Sequence, residues 1–200
     1  MNFLIRKLFK NVIPPEDESD YLIKIISKSA FQVFRDKRFR QLVDFNKQSE
    51  EEQNRIFNEL VVTALIFLML LLDDNIPKFK PERKSFWQKV REKIPKAYTG
   101  WMTSLGIEKK YVDIWEKLIN LRLREYKREQ KETRYVFLEE FLEKRDNEEL
   151  QDAAVRLETL TVGSMLHITR GKAKPDDPLR RHLRTWLSTL NYKLERKVGW

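Results

Sequence analysis

Few side chains in this chain are equipped for chemistry. Its 200 residues hold two histidines, His167 and His182, and no cysteine. Disulfides, thiolate metal sites and cysteine nucleophiles are therefore excluded, and the composition permits a reducing, cytoplasmic setting, which is the location expected. Two histidines are too few for a His-rich zinc or di-iron centre. With five glycines there is no Gly-rich phosphate loop or dinucleotide fingerprint. No metal and no cofactor is expected.

The histidines share a setting. His167 lies about one turn before a helix end expected near Gly171, and His182 about one turn after a start expected at Asp177-Pro178. In an antiparallel hairpin both fall at a similar height beside the loop. Arg170, Lys172, Lys174, Arg180, Arg181 and Arg184 cluster at the same end. A helix N-terminus there offers free backbone N–H groups to an anion. These eight residues are the candidate anion or nucleic-acid site. Two histidines beside a bound RNA can in principle serve as base and acid. A histidine on a helix is more often structural, so catalysis is not the leading expectation.

Acidic spacings give a second, weaker lead. Glu129-x-x-Glu132 and Glu149-x-x-Asp152 resemble the paired motifs of all-α nucleotide pyrophosphatases, whose carboxylates hold magnesium against a phosphate. The resemblance implies a metal-dependent nucleotide or phosphate-ester hydrolase. In a chain with 31 acidic residues such spacings arise easily, and Glu129 sits among lysines and arginines. Asp73-Asp74 has no second matching acidic motif and reads as a solvated helix end, although acid at a helix C-terminus is the disfavoured sign. Trp87, Tyr98 and Trp101 lie among basic residues, as bases stacking on a single-strand platform would require. Their helical spacing points instead to core packing.

The element that must position these groups is the run 60–72, apolar except for Thr63, whose hydroxyl can bond one turn back. As a helix it is roughly 20 Å long, short of the about 30 Å of a bilayer core. A helix apolar all round is buried all round. The expected fold is all-α, a single-domain bundle of about six to eight helices around this central post, with no transmembrane segment. Residues 16–200 form the bundle domain, and residues 1–13 an amphipathic helix or arm.

The arm places Leu4, Ile5, Leu8 and Val12 on one face and leaves Arg6, Lys7 and Lys10 polar. It suits a protein partner or its own bundle, with peripheral membrane contact as the alternative. A helix begins near Ser19 and bends or breaks at 35–40. Ser49-x-x-Glu52 is a capping box that starts the central helix. Pro81 opens the next helix, and Pro95 a further short one that stops at Gly106. From about Ile107 a long helix turns Tyr111, Ile114, Trp115, Leu118, Ile119 and Leu121 or Arg122 inward. Residues 126–134 read as an extension into solvent or a loop, and Tyr135, Leu138, Phe141 and Leu142 return to the core. Asp146-x-x-Glu149 caps a helix with the small residues Ala153, Ala154, Gly163 and Ser164. Leu179, Leu183, Trp186, Leu187, Leu190 and Leu194 stripe the last one.

Charge sets the functional expectation. The net is +9, and it is uneven: residues 76–134 carry 17 Lys/Arg against 8 Asp/Glu, while 49–75 and 135–168 are each acidic. Such a balance favours an anionic partner. The leading reading is a non-enzymatic helical binding or adaptor protein for nucleic acid or another polyanion. The second is a protein–protein scaffold acting through residues 1–13, and the third is the hydrolase above.

Overall fold

The central run lies inside a helix of 26 residues. The computed structural model describes residues 13–137, 148–174 and 176–198. Among them are seven α-helices and no strand: α1 Pro15–Arg35, α2 Lys37–Leu42, α3 Glu50–Asn75, α4 Pro81–Ser104, α5 Lys109–Phe137, α6 Glu148–Thr169 and α7 Pro178–Val198. The expectations for residues 1–12, for Leu138, Phe141 and Leu142, and for the Asp146 cap lie outside the described residues.

Ser49 starts α3 as its capping box requires, its hydroxyl accepting from Glu52 N at 3.2 Å. Every side chain from Leu60 to Leu72 is buried, and Thr63 donates to Glu59 O at 2.7 Å. By length and composition α3 could cross a membrane, and 78% of its most apolar window is buried inside the bundle. Its neighbours are α1, α4, α5, α6 and α7. The all-α bundle around a buried central helix is therefore the observed architecture.

Local starts and stops follow the sequence with two exceptions. Helix α1 begins at Pro15 rather than near Ser19, because proline is preorganised for a first turn and Glu16, Asp17 and Glu18 favour that end. Asp36 then breaks the chain and caps α2, accepting from Phe39 N at 2.8 Å. The second exception is α4. Pro95 does not open a new helix but sits inside one, because Val90 and Ile94 before it and Tyr98 and Met102 after it bury the same face. That burial outweighs the hydrogen bond a proline forfeits. Gly106, at φ +82°, ends α4, with Ile107 N reaching back to Met102 O at 3.2 Å.

Helix α5 narrows one expectation and overturns another. Residues 126–134 are the helical extension rather than the loop, with Lys127, Arg128, Lys131 and Glu132 exposed, but they do not stand wholly in solvent: Tyr126 is fully buried against α6. The inward face is Trp115, Ile119 and Tyr126, while Tyr111, Ile114, Leu121 and Tyr135 are exposed. The helix is apolar over a wide arc, and α3, α4 and α6 cover only one side of it. Trp87 and Tyr98 are buried, so packing rather than base stacking employs them. Helix α7 buries its whole expected stripe.

Candidate functional site

The α6–α7 loop is made as expected: Arg170 and Gly171 take positive φ, and Gly171 N closes the end of α6 on Leu166 O at 2.8 Å. The charged residues around it do not form one cluster. His167 turns inward, its Nε2 3.5 Å from Glu125 Oε1 on α5 and its ring edge-on to Tyr126. His182 turns toward α1 and α2, 3.5 Å from Asp36 Oδ1 and beside Phe39. The two histidines, expected at a similar height beside the loop, are not brought together: their side chains leave α6 and α7 toward different neighbours.

Three of the six cations are held by carboxylates of the bundle. Arg170 Nη2 bonds Glu52 Oε2 at 2.6 Å. Arg180 bonds Glu158, and Arg184 Nη1 lies 3.5 Å from the same buried carboxylate. Glu52 also grips Arg55 at 2.6 Å, and Arg55 in turn donates at 2.7 Å to the last carbonyls of α6, those of His167 and Ile168. That guanidinium answers the negative end of the helix. Arg55 and Arg170 together pull the Glu52 carboxyl down to about 2. Arg181, Lys172 and Lys174 are exposed and make no ion pair with a described residue.

Arg181 and His182 border a feature that sequence patterning did not reveal. An open groove of about 690 Å³ runs between α1, α2 and the N-terminal two-thirds of α7. Trp186 lies at its base, with Nε1 donating to Ser29 Oγ at 2.9 Å. Arg38, Arg181 and Lys193 supply cations to its rim, and His182 lines it beside Arg181. Arg38, Arg181 and Lys193 have no ion-pair partner among the described residues. Asp36, Asp176 and Asp177 also line it as carboxylates; Asp36 caps α2, and Asp177 accepts from Leu179 N at 2.8 Å to start α7, hydrogen bonds that leave their charge in place. The missed signal is the register of α1 on α7, a contact between residues more than 150 positions apart.

The acidic leads resolve into structure. Asp73 binds Arg91 at 2.8 Å and Lys127 at 2.8 Å, and Asp74 binds Arg156, so this helix end is not simply solvated. Burial raises the Asp74 carboxyl above its ordinary value against the pull of Arg156, with Asp152 and Asp73 adding to the rise. Asp152 takes Arg134, and Glu149 lies 3.6 Å from Lys78 Nζ. Glu132 faces Arg128, while Glu129 is half-buried beside Gly163, with its carboxyl raised first by burial and then by Glu125. No group of three or more metal-holding side chains exists among the described residues. Three of the four carboxylates of the pyrophosphatase-like spacing, Glu132, Glu149 and Asp152, are faced by cations.

A comparison with protein-family models, with curated proteins and with solved structures finds no match to this chain.

Proposed function

We propose that this all-α protein is a non-enzymatic binding protein whose α1–α2–α7 groove receives an anionic polymer, nucleic acid in the first instance. The observation that carries this reading is the division of the cations. Arg170, Arg180 and Arg184 are spent on Glu52 and Glu158, whereas Arg38, Arg181 and Lys193 stand around an open groove without ion-pair partners among the described residues. Cations of the second kind are available to phosphates, and each phosphate they neutralise releases counterions. The +9 net charge supports the same sign of partner. Trp186 and the Thr185 and Thr189 hydroxyls give the groove apolar and polar surface beneath that rim.

The reading is tested by titrating the protein with labelled single-stranded and duplex nucleic acids across a salt series. Binding is expected to weaken steeply with salt. Arg38→Ala, Arg181→Ala and Lys193→Ala should each reduce the salt slope by about one where the residue meets a phosphate. An unchanged slope in the folded triple variant overturns the groove as the site.

A further inference from the structure

Helix α5 carries a second surface, on a different part of the molecule. Tyr111, Ile114 and Leu121 are 50%, 60% and 52% exposed, and the half-buried Leu118 lies between the last two. Steps of three and four residues keep them in one row about 15 Å long. Leu105 and Ile107, in the turn before α5, are also exposed. Isolated exposed leucines need no explanation, but a continuous row does.

Cations run along one flank of this row. Lys110, Lys117 and Arg124 recur every seventh residue, so they stay beside it for about 21 Å. Lys117 and Arg124 have no ion pair with a described residue. Lys110 reaches Glu108 at 2.8 Å and lies over the Tyr111 ring. Asp113 sits about 100° round the helix from Ile114, just beyond these cations, where it pairs with Lys109 at 2.6 Å, and Glu116 sits about 160° round. The opposite flank turns into the bundle through the buried Trp115 and the ion-paired Arg122.

This charge pattern selects the occupant. A second copy would bring the same basic flank with no exposed acidic flank to receive it. Residues 1–12 carry Arg6, Lys7 and Lys10 and no acid, so they have the wrong sign as well. The row is also a ridge on the outward face of one helix rather than a groove that would hold a partner helix. A ridge of apolar side chains bordered by cations matches an anionic bilayer surface. The apolar tips enter the headgroup boundary while the long basic chains reach the phosphates. We infer that the outward face of α5 docks on an anionic lipid surface, with Ile114 and Leu121 inserted and Lys110, Lys117 and Arg124 on the headgroups.

The test is flotation of the full chain with vesicles of phosphatidylcholine alone and of phosphatidylcholine with phosphatidylserine in a two-to-one ratio. Binding is expected only to the second kind. Lys117→Ala and Arg124→Ala should each weaken it about fivefold. Ile114→Asp with Leu121→Asp should abolish it, while circular dichroism confirms that helicity is retained. Equal binding of that double variant and the parent overturns the proposal. So does a parent that binds neither vesicle, and retention of that parent by an immobilised acidic helical peptide would assign the face to a protein partner instead.

Discussion

The ring of Tyr126 occupies the space that a side chain at position 163 would need. A Cβ placed on Gly163 would run into the ring, and Glu129 Oε2 would lie 3.1 Å from it. Helices α5 and α6 therefore approach as closely as they do because position 163 is glycine. Gly163→Ala gains helix propensity of about 1 kcal/mol, but it overfills a fully buried contact, which costs typically about 1–3 kcal/mol. Net destabilisation is expected in urea melts. Tyr126→Leu in the same chain should remove the clash, so that the alanine becomes neutral or stabilising in that background. An alanine equally harmful in both backgrounds would show that the ring is not what excludes it.

The second prediction concerns Arg156, whose side chain is 3% exposed. It bonds Asp74, donates to Asn191 Oδ1 at 3.2 Å and stacks over Phe67. Removing one member of such a buried pair leaves the other without compensation, at a cost of about 3–5 kcal/mol. Arg156→Met should show that loss. Asp74→Asn together with Arg156→Met should recover most of it, because an amide is cheaper to bury than an unpaired carboxylate. A double-mutant cycle in chemical denaturation reads the coupling directly.

These two contacts show what the sequence could and could not reveal. The buried run 60–72, the Ser49 cap, the Gly106 and Gly171 stops and the α7 stripe depend on neighbours within a few residues, and each was legible. Gly163 is one of four small residues picked out on α6, but nothing local named Tyr126, which stands in a stretch of charges, as the side chain that fills the space beside it. The partners of Asp73, Asp74, Arg170 and Arg180 lie between 18 and 118 residues away, so pattern alone could not separate spent cations from free ones. For α5 the apolar residues cover too wide an arc for periodicity to select the inward side, and the packing of α3, α4 and α6 decides it.

Acid should act on the end of α6 through Glu52. Its carboxyl titrates near 2 in the folded chain, against an ordinary value of 4.5, because Arg55 and Arg170 hold it ionised. The stabilisation is complete above the ordinary value and is lost as pH falls from there toward about 2. Glu129 and Asp74 act in the opposite sense, since their raised carboxyls take up protons more readily folded than unfolded, and stability gains from them as pH falls. Glu52→Gln should therefore flatten the acid limb of a stability–pH profile, and Glu129→Gln should steepen it. Parallel profiles for both variants would deny these carboxylates their assigned signs.

A different sign of argument applies to His167. Burial lowers its imidazole below the ordinary 6.5, and Arg122 and Arg55 push the same way, against Glu59 and Glu125. No hydrogen bond to its Nε2 relieves the burial. The folded chain thus prefers the neutral ring. Above the ordinary value both folded and unfolded chains hold it neutral, and it costs nothing. As pH falls below that value the unfolded chain takes the proton first, and stability declines until the folded ring also titrates. His182 is partly exposed beside Asp36 and faces a different part of the bundle. His167→Gln should therefore remove the stability loss just below neutrality. NMR titration of the His167 imidazole provides the direct check, with protonation expected below its ordinary value. If His167 titrates at or above its ordinary value, Glu59 and Glu125 outweigh burial, and the decline below neutrality should be absent from the parent protein as well.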